Sequence, residues 1–293
     1  MNFWTWRGYK IAYTGAGNDG PPLVLIHGFG ANLGHWRKNI PDLSQEHRVF
    51  ALDLLGFGAS VKPADGVYTF ETWGEQVADF IAQVVNAPAL VVGNSIGAIV
   101  ALQAAVLRPE LVQGITLINC SLRLLHRTKR QSLPWLRRVG APVLQSLLSW
   151  EPLGRFFFEQ LRQPQTVKKI LLQAYGDPKA VTDELVDLLI APSLDPGAWS
   201  VFLAFIRYDT GPLAEELLPQ LTCPVQILWG EQDPWEPVAL GREYTRFSCV
   251  RQFVALPGAG HCPQDEVPEQ INPLVRRWLE ACFKDSVDSV ARN

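Results

Sequence analysis

A serine between two glycines is the first feature of the sequence that could do chemistry. Ser95 lies at the centre of Gly-Asn-Ser-Ile-Gly at residues 93–97, between apolar runs over 89–92 and 96–107. These runs predict a buried strand and a helix, and the glycines permit a sharp turn that lifts the hydroxyl out of the backbone. The free N–H groups at the helix start would then face an oxyanion. A plain strand-to-helix turn with a serine N-cap fits the pentapeptide equally well.

A serine hydroxyl becomes a nucleophile only with a base, and the base needs an orienting acid. His261 follows an apolar run that ends at residue 256, and Asp233 follows an earlier run that ends at residue 229. We predict that His261 is the base and Asp233 the acid, because sites in open sheets lie beyond the carboxyl ends of strands. The competing acids fit less well: Glu231 is too close to its strand, and Asp265 follows the histidine.

The other four histidines are weaker candidates for the base. His27 belongs to a glycine loop, where it could simply hydrogen-bond the backbone, and His126 lies in a basic segment. We expect His35 and His47 to have polar surroundings. Cys262, beside the predicted base, is expected to be a small buried residue and not a thiolate nucleophile.

Two loops at strand ends could support the site. His-Gly-Phe-Gly at residues 27–30 follows the apolar run 23–26, and its glycines would let backbone N–H groups point at a ligand. We predict that the N–H groups of Phe29 and Ile96 are the oxyanion donors. Asp53, at the next strand end, is predicted to cap the N–H groups of its loop and not to take part in catalysis.

The apolar runs alternate with helical patterns, which predicts an α/β fold with a mostly parallel sheet and helices on both faces. Residues 9–14 are interpreted as an edge strand. Gly-x-Gly-x-x-Gly at 15–20 is interpreted as a hairpin turn, because a dinucleotide loop would need a helix after it. Residues 122–219 lack strand-like runs and predict a helical cap. The domain prediction is a core of residues 1–121 and 220–284, that cap, and a polar, frayed tail over 285–293.

Composition excludes several classes of function. The net charge of −3 gives no indication of nucleic-acid binding. The five cysteines are scattered without a CxxC pair, so neither a zinc site nor a disulfide framework is expected, and a reducing compartment such as the cytoplasm is favoured. The start has neither a basic segment nor a long apolar run, so no signal peptide is expected. The predicted chemistry requires no metal and no organic cofactor.

Together these motifs resemble the α/β-hydrolase family with a helical cap, over nearly the whole chain. The motifs occur in family order: His-Gly-Phe-Gly at 27–30, Asp-x-x-Gly-x-Gly-x-Ser at 53–60, Gly-Asn-Ser-Ile-Gly at 93–97, Gly-x-x-Asp at 230–233 and Gly-His at 260–261. Haloalkane dehalogenases and epoxide hydrolases of this family carry an aspartate in place of Ser95. The serine therefore resembles the esterase, lipase and carbon–carbon hydrolase branches.

A narrower resemblance is to pheophytinases and chlorophyll dephytylases. It is carried by residues 56–63, 92–95, 228–235 and 260–269. This resemblance implies a serine hydrolase that cuts the phytyl ester of a chlorophyll-type pigment, in an organism that is expected to be cyanobacterial. The alternatives are a general carboxylesterase or lipase, a hydrolase of carbon–carbon bonds, and a non-catalytic receptor with this fold.

The predicted cap combines apolar and basic residues. Such a surface could shelter an apolar ester substrate and could rest on an anionic membrane, here a thylakoid membrane. The alternative is that these side chains pack the cap on the core. The oligomeric state is left open. The apolar and basic cap residues are Leu133, Trp135, Leu136, Val143, Leu144, Leu147, Leu148, Trp150, Phe156, Phe157, Phe158, Arg123, Arg127, Lys129, Arg130, Arg137 and Arg138.

Overall fold

One eight-stranded sheet forms the centre of the molecule. The computed structural model describes residues 1–129 and 145–290. The strands have the order β1-β2-β4-β3-β5-β6-β7-β8; β1, β2 and β4 pair antiparallel, and all pairs from β4 to β8 are parallel. The strand bounds are β1 Asn2–Trp6, β2 Tyr9–Ala16, β3 Pro22–Ile26, β4 Arg48–Leu52, β5 Ala89–Asn94, β6 Val112–Ile118, β7 Val225–Gly230 and β8 Val250–Leu256.

Helices cover both faces of this sheet. Alternate residues of β3 point to opposite faces, so Val24 packs with the helices over residues 70–80 and 96–107, whereas Leu25 packs with the last helix, which begins at residue 268. The α/β fold predicted from the apolar runs is therefore confirmed. The helix bounds are α1 Ile40–Leu43, α2 Phe70–Phe80, α3 Ile96–Leu107, α4 Glu151–Leu161, α5 Pro164–Ala174, α6 Asp183–Ile190, α7 Ala198–Arg207, α8 Ala214–Leu217, α9 Val238–Arg242, α10 Pro263–Glu266 and α11 Pro268–Val290.

Two predictions about the N-terminal strands are wrong. β2 is not an edge strand, because β1 pairs with one side of it and β4 with the other. Residues 15–20 are not a hairpin turn either, since β4 lies between β2 and β3 in the sheet. The alternating pattern reports that one face of β2 is buried, but it carries no information about which strands lie beside it.

The described residues between β6 and β7 form helices and no strand, in agreement with the pattern of a helical insertion. The division into core and cap stays a prediction. Across residues 1–129 and 145–290, no individual helix has both the length and the apolar character to cross a bilayer. The segments Asp183–Leu194 and Ala198–Arg207 together have the necessary length and composition, but they are bent by 92° relative to each other. The last helix continues to Val290, so the expected frayed tail over residues 285–293 is helical up to that residue.

Asp53 has the structural role predicted for it. Its Oδ1 accepts a hydrogen bond from the Leu33 N–H at 2.6 Å, and its Oδ2 accepts one from the Ala59 N–H at 2.7 Å. Burial raises the pKa of Asp53 to about 6, against the effect of these two donors. Gly58 is required beside it, because a Cβ atom there would lie 2.0 Å from Asp53 Oδ2. The buried carboxylate thus orders the loop after β4.

Candidate active site

Ser95 occupies a strained turn between β5 and α3. Its backbone has φ 56° and ψ −118°, a conformation that L-residues rarely adopt. Both neighbouring glycines are needed for this turn: a Cβ on Gly93 would lie 2.2 Å from the Gly97 carbonyl oxygen, and a Cβ on Gly97 would lie 2.5 Å from the His27 carbonyl oxygen. The pentapeptide is therefore a sharp turn against β3 and not an ordinary N-cap.

His261 and Asp233 form a buried pair. His261 Nδ1 lies 2.7 Å from Asp233 Oδ2, which also accepts a hydrogen bond from Asn119 Nδ2 at 2.7 Å. Burial opposes ionisation of Asp233, but the donors from His261 and Asn119 outweigh it and keep the pKa of Asp233 below its usual value. Because an ionised carboxylate only accepts hydrogen bonds, Nδ1 carries the proton and Nε2 keeps a free lone pair.

Ser95 and His261 line the same cavity. It has a volume of about 520 Å³, within the range of small-molecule sites, and Phe29 and Ile96 also line it. Within the described residues, the N–H groups of Phe29 and Ile96 donate to no protein acceptor. The structure thus brings four of the five predicted residues to one cavity, with Asp233 behind the imidazole. Their catalytic roles stay predictions.

The cavity is mainly apolar on the side of the helical insertion. Phe158 of α4 and Phe202 of α7 pack with ring centroids 5.1 Å apart, and Phe205 stacks on Phe29 at 4.0 Å. Further apolar lining comes from Leu161, Val167, Ile170, Leu171, Leu189, Ile190 and Val201. The cavity therefore accommodates an extended apolar group next to the polar cluster.

Comparison with known proteins assigns the family. The model of the alpha/beta hydrolase fold family matches residues 21–268. The chain belongs to this family. Chloroplastic pheophytinase of Arabidopsis thaliana is 26% identical over 310 residues, which cover 92% of this chain and 64% of that protein. A 2-hydroxymuconate semialdehyde hydrolase of a Pseudomonas species is 27% identical, with 89% of this chain and 87% of that protein covered.

A solved structure shows the same fold. A serine hydrolase involved in carbazole degradation superimposes with a TM-score of 0.77 at 22% identity, covering 96% of this chain and 98% of that one. The resemblance inferred from the motifs is confirmed at the level of the family and fold. The chain accordingly has the alpha/beta hydrolase fold.

The residues that the sequence offers as alternatives to Asp233 and His261 have other surroundings. Glu231 is exposed, and Asp265 pairs with Arg37 at 2.9 Å. His27 accepts a hydrogen bond from the Leu54 N–H on Nε2 at 3.1 Å, so its Nδ1 donates to the Gly28 carbonyl oxygen at 2.8 Å. Burial lowers the pKa of His27 to about 4. It is thus a neutral histidine that orders the loop beneath Phe29.

His35 and His47 lie near charged residues, as expected, but both are buried, with 3% and 4% of their surfaces exposed. His35 lines the cavity, and its Nε2 lies 2.9 Å from the Tyr175 hydroxyl. Burial lowers the pKa of His35 to about 4. The neighbours of His35 in the sequence do not indicate this burial, because the segment that covers it, at residue 175, is distant in the chain.

Sequence reasoning missed two residues beside the pair. Asn119, directly after β6, donates to Asp233 and accepts a hydrogen bond from the Gly230 N–H at 3.0 Å. Glu236 lines the cavity, where it accepts hydrogen bonds from Ser121 Oγ at 3.1 Å and the Leu122 N–H at 3.0 Å. Burial raises the pKa of Glu236 to about 7. Position at the carboxyl end of β6 was the available signal for Asn119.

The strain at Ser95 makes a prediction about stability. Glycine tolerates φ 56° and ψ −118° without a Cβ clash, so Ser95→Gly should exceed Ser95→Ala in free energy of unfolding by about 1 kcal/mol. Urea unfolding measures the difference. Ser44, with an ordinary φ of −74°, is the control, and there the alanine variant should be the more stable. A Ser95→Ala protein as stable as Ser95→Gly would contradict strain in this turn.

Proposed function

We propose that this chain is a serine hydrolase that cleaves a carboxylic ester through Ser95, His261 and Asp233. Ser95 Oγ attacks the ester carbonyl while His261 Nε2 takes its proton, and Asp233 stabilises the resulting imidazolium. The N–H groups of Phe29 and Ile96 bind the oxyanion. His261 then returns the proton to the leaving alcohol, and water activated by the same imidazole releases the acid from Ser95.

One observation carries this proposal. The buried pair of His261 and Asp233, 2.7 Å apart, adjoins a cavity that it shares with Ser95 and with two N–H groups that lack protein acceptors. A nucleophile, a base with its orienting acid and an electrostatic site for developing negative charge are the parts that acyl transfer needs. Because these groups line a cavity that is mainly apolar, they favour an ester with a long apolar portion.

We propose further that the substrate is the phytyl ester of a chlorophyll-type pigment. Support comes from the similarity to pheophytinase, of which the chain spans 64% of the length, and from the apolar lining by α4, α5 and α7. A branched isoprenoid alcohol needs such a lining because its burial is driven by apolar area. The similarity to 2-hydroxymuconate semialdehyde hydrolase keeps a carbon–carbon bond hydrolase as the second candidate.

Labelling and product analysis test this function. A fluorophosphonate probe should label the wild-type protein and fail to label Ser95→Ala, and turnover should fall by at least about 10⁴-fold in that variant. Ser44→Ala, at the half-buried C-terminal end of α1, is the matched serine control. Incubation with pheophytin a and chlorophyll a should release phytol.

Each other outcome selects a different function. Folded wild-type protein that resists the probe would indicate a ligand receptor. Labelling and turnover of short acyl esters without phytol release would indicate a general esterase. Cleavage of vinylogous diketones in preference to esters would indicate a carbon–carbon bond hydrolase.

Glu236 makes the preference for neutral substrates dependent on pH. Because its pKa is raised to about 7, the cavity is neutral on this side at lower pH and gains a carboxylate at higher pH. The ratio of kcat/KM for p-nitrophenyl hemisuccinate to that for p-nitrophenyl butyrate should therefore fall by about 2–10-fold between pH 6 and 8. In Glu236→Gln the ratio should stay constant. An equal change of this ratio with pH in wild-type and Glu236→Gln protein would contradict a role for Glu236. Titration of His261 does not change the ratio, because it affects the hydrolysis of both esters alike.

We propose that the helical insertion also contacts a membrane surface, from which a lipid-soluble pigment could enter. Trp150, directly before α4, and Phe156 on α4 are 65% and 63% exposed, whereas Phe158 faces the cavity. Of the expected cations, Arg123 donates to the Thr210 carbonyl oxygen at 2.6 Å and Lys129 pairs with Glu215 at 2.6 Å, so neither is free for lipid. Arg130, Leu133, Trp135, Leu136, Arg137, Arg138, Val143 and Leu144 lie outside the described residues. Arg127 is exposed as well, but the contact that we propose is apolar and is made by Trp150 and Phe156.

Sedimentation with lipid vesicles tests this contact. Trp150→Ser combined with Phe156→Ser should lower the bound fraction by at least about tenfold, because burial of each aromatic side chain contributes about 1.5–3 kcal/mol. Val67→Ser is the control, since Val67 is 60% exposed on the loop after β4. Equal binding of the double variant, or binding only to phosphatidylglycerol and not to phosphatidylcholine, would contradict an apolar contact.

A further inference from the structure

The peptide groups of His261 are held by two distant parts of the chain. The His261 N–H donates to the Ala174 carbonyl oxygen, at the end of α5, with an N···O distance of 2.7 Å. The His261 carbonyl oxygen accepts a hydrogen bond from Asn94 Nδ2, beside Ser95, at 3.1 Å. The hydrogen bond to Asp233 orients the imidazole ring, but the position of the ring relative to Ser95 depends on this backbone.

Residues 174–176 and the His261 loop touch backbone to backbone. A Cβ atom on Gly176 would lie 2.1 Å from the Gly258 carbonyl oxygen, and one on Gly260 would lie 2.1 Å from the Ala174 carbonyl oxygen. No side chain fits between the two segments. Displacement of residues 174–176 therefore displaces the backbone of His261 as well.

One carboxylate fastens this contact. Glu266 accepts hydrogen bonds from the Gly260 N–H at 2.9 Å and the Cys262 N–H at 3.0 Å, on both sides of His261. It also accepts one from the Gly176 N–H at 2.6 Å. Hydrogen bonds to an ionised acceptor are the strong ones, and this acceptor binds the two segments at once.

Tyr175 attaches the same segment to the opposite side of the site. Its hydroxyl donates to Asp265 Oδ2 at 3.0 Å, so His35 Nε2 donates to the hydroxyl at 2.9 Å. Asp265 is also paired with Arg37. His35 and Arg37 lie in the segment that follows the Phe29 loop. Residues 174–176 thus bridge the predicted oxyanion loop and the predicted base.

We propose that Glu266 and residues 174–176 form a positioning clamp that sets the distance between His261 and Ser95. The clamp rests on the proposed function, because it acts through the base of that mechanism. Glu266 is a positioning residue, since it reaches the reacting atoms only through the His261 backbone. Because misplacement by about 1 Å can cost about 10²-fold in rate, loss of the clamp should lower kcat and leave KM nearly unchanged.

The test compares two glutamates that both join the core to the helical insertion. Glu266→Gln keeps the size of the side chain but places an NH₂ group against the N–H donors. Glu71 on α2 accepts a hydrogen bond from the Tyr208 hydroxyl at 2.7 Å, and neither residue lines the cavity, so Glu71→Gln alters a contact away from the site. With p-nitrophenyl butyrate, Glu266→Gln should lower kcat and the fluorophosphonate labelling rate by about 10–100-fold, with KM within about twofold. Glu71→Gln should change neither.

A spectroscopic measurement separates this proposal from the proposed function. The low-field ¹H resonance of the His261 Nδ1 proton, which Asp233 accepts, reports the pair without turnover. Its solvent exchange should be faster in Glu266→Gln and unchanged in Glu71→Gln. If wild-type protein resists the probe, the proposed function fails, and this resonance still decides whether the clamp exists.

Three results would overturn the clamp: an unaltered kcat and resonance in folded Glu266→Gln, an equal loss in Glu71→Gln, or a loss confined to KM. If Glu266→Gln does not fold, Tyr175→Phe replaces it, because Tyr175 does not line the cavity. That variant keeps the backbone contacts and should lower kcat by about 3–10-fold. An unchanged kcat in folded Tyr175→Phe would then overturn the proposal.

Discussion

The in-register pairing of the parallel strands is the constraint on which the site depends. Ile26 pairs with Gly93, Asn94 with Ile118, and Ile118 with Leu228, so β3, β5, β6 and β7 end at nearly the same level. The residues that follow these ends therefore meet at one edge, although the sequence separates them by up to about two hundred positions. A slip of one residue would turn the buried faces of a strand around, so the core protects the register. The strand register that packs the core therefore also brings the site residues together.

Burial then determines which groups at that edge carry charge. His27 and His35 are neutral at physiological pH, because burial lowers the pKa of each to about 4. Asp233 is ionised because it has several donors, and the cavity-lining Lys62 and Arg162 have acidic partners. The charges of these groups are thus compensated within the protein, and Glu236, with its pKa raised to about 7, is uncharged at lower pH. An apolar substrate can enter without separating a buried ion pair, a step that would cost several kcal/mol.

The parts of the structure that follow from local pattern could be predicted, and those that depend on strand order could not. Apolar runs predict strands and helices, and Gly-x-Ser-x-Gly followed by an aspartate and a histidine predicts the residues around the cavity. The partners of those residues depend on which strands become neighbours. Asn119 reaches Asp233 only because β6 lies beside β7, and β2 lies inside the sheet because β1 covers its edge. His35 is buried because Tyr175, 140 positions later, packs on it. No periodicity within a short window contains these contacts.

The strained turn and the contacts of the base are mechanically linked. Relaxation of the Ser95 backbone would move Asn94, whose side chain holds the His261 carbonyl oxygen. A shift of the Ser95 backbone is therefore passed to the backbone of His261 through this hydrogen bond. The contact between residues 174–176 and the His261 loop also determines which part of the helical insertion can move without displacing His261. α4 and α7 pack on each other through Phe158 and Phe202, and α7 also stacks on Phe29 through Phe205, whereas hydrogen bonds to the His261 loop come from the end of α5. Substrate entry on the side of α4 and α7 would leave the base in place, whereas entry past residues 174–176 would displace it.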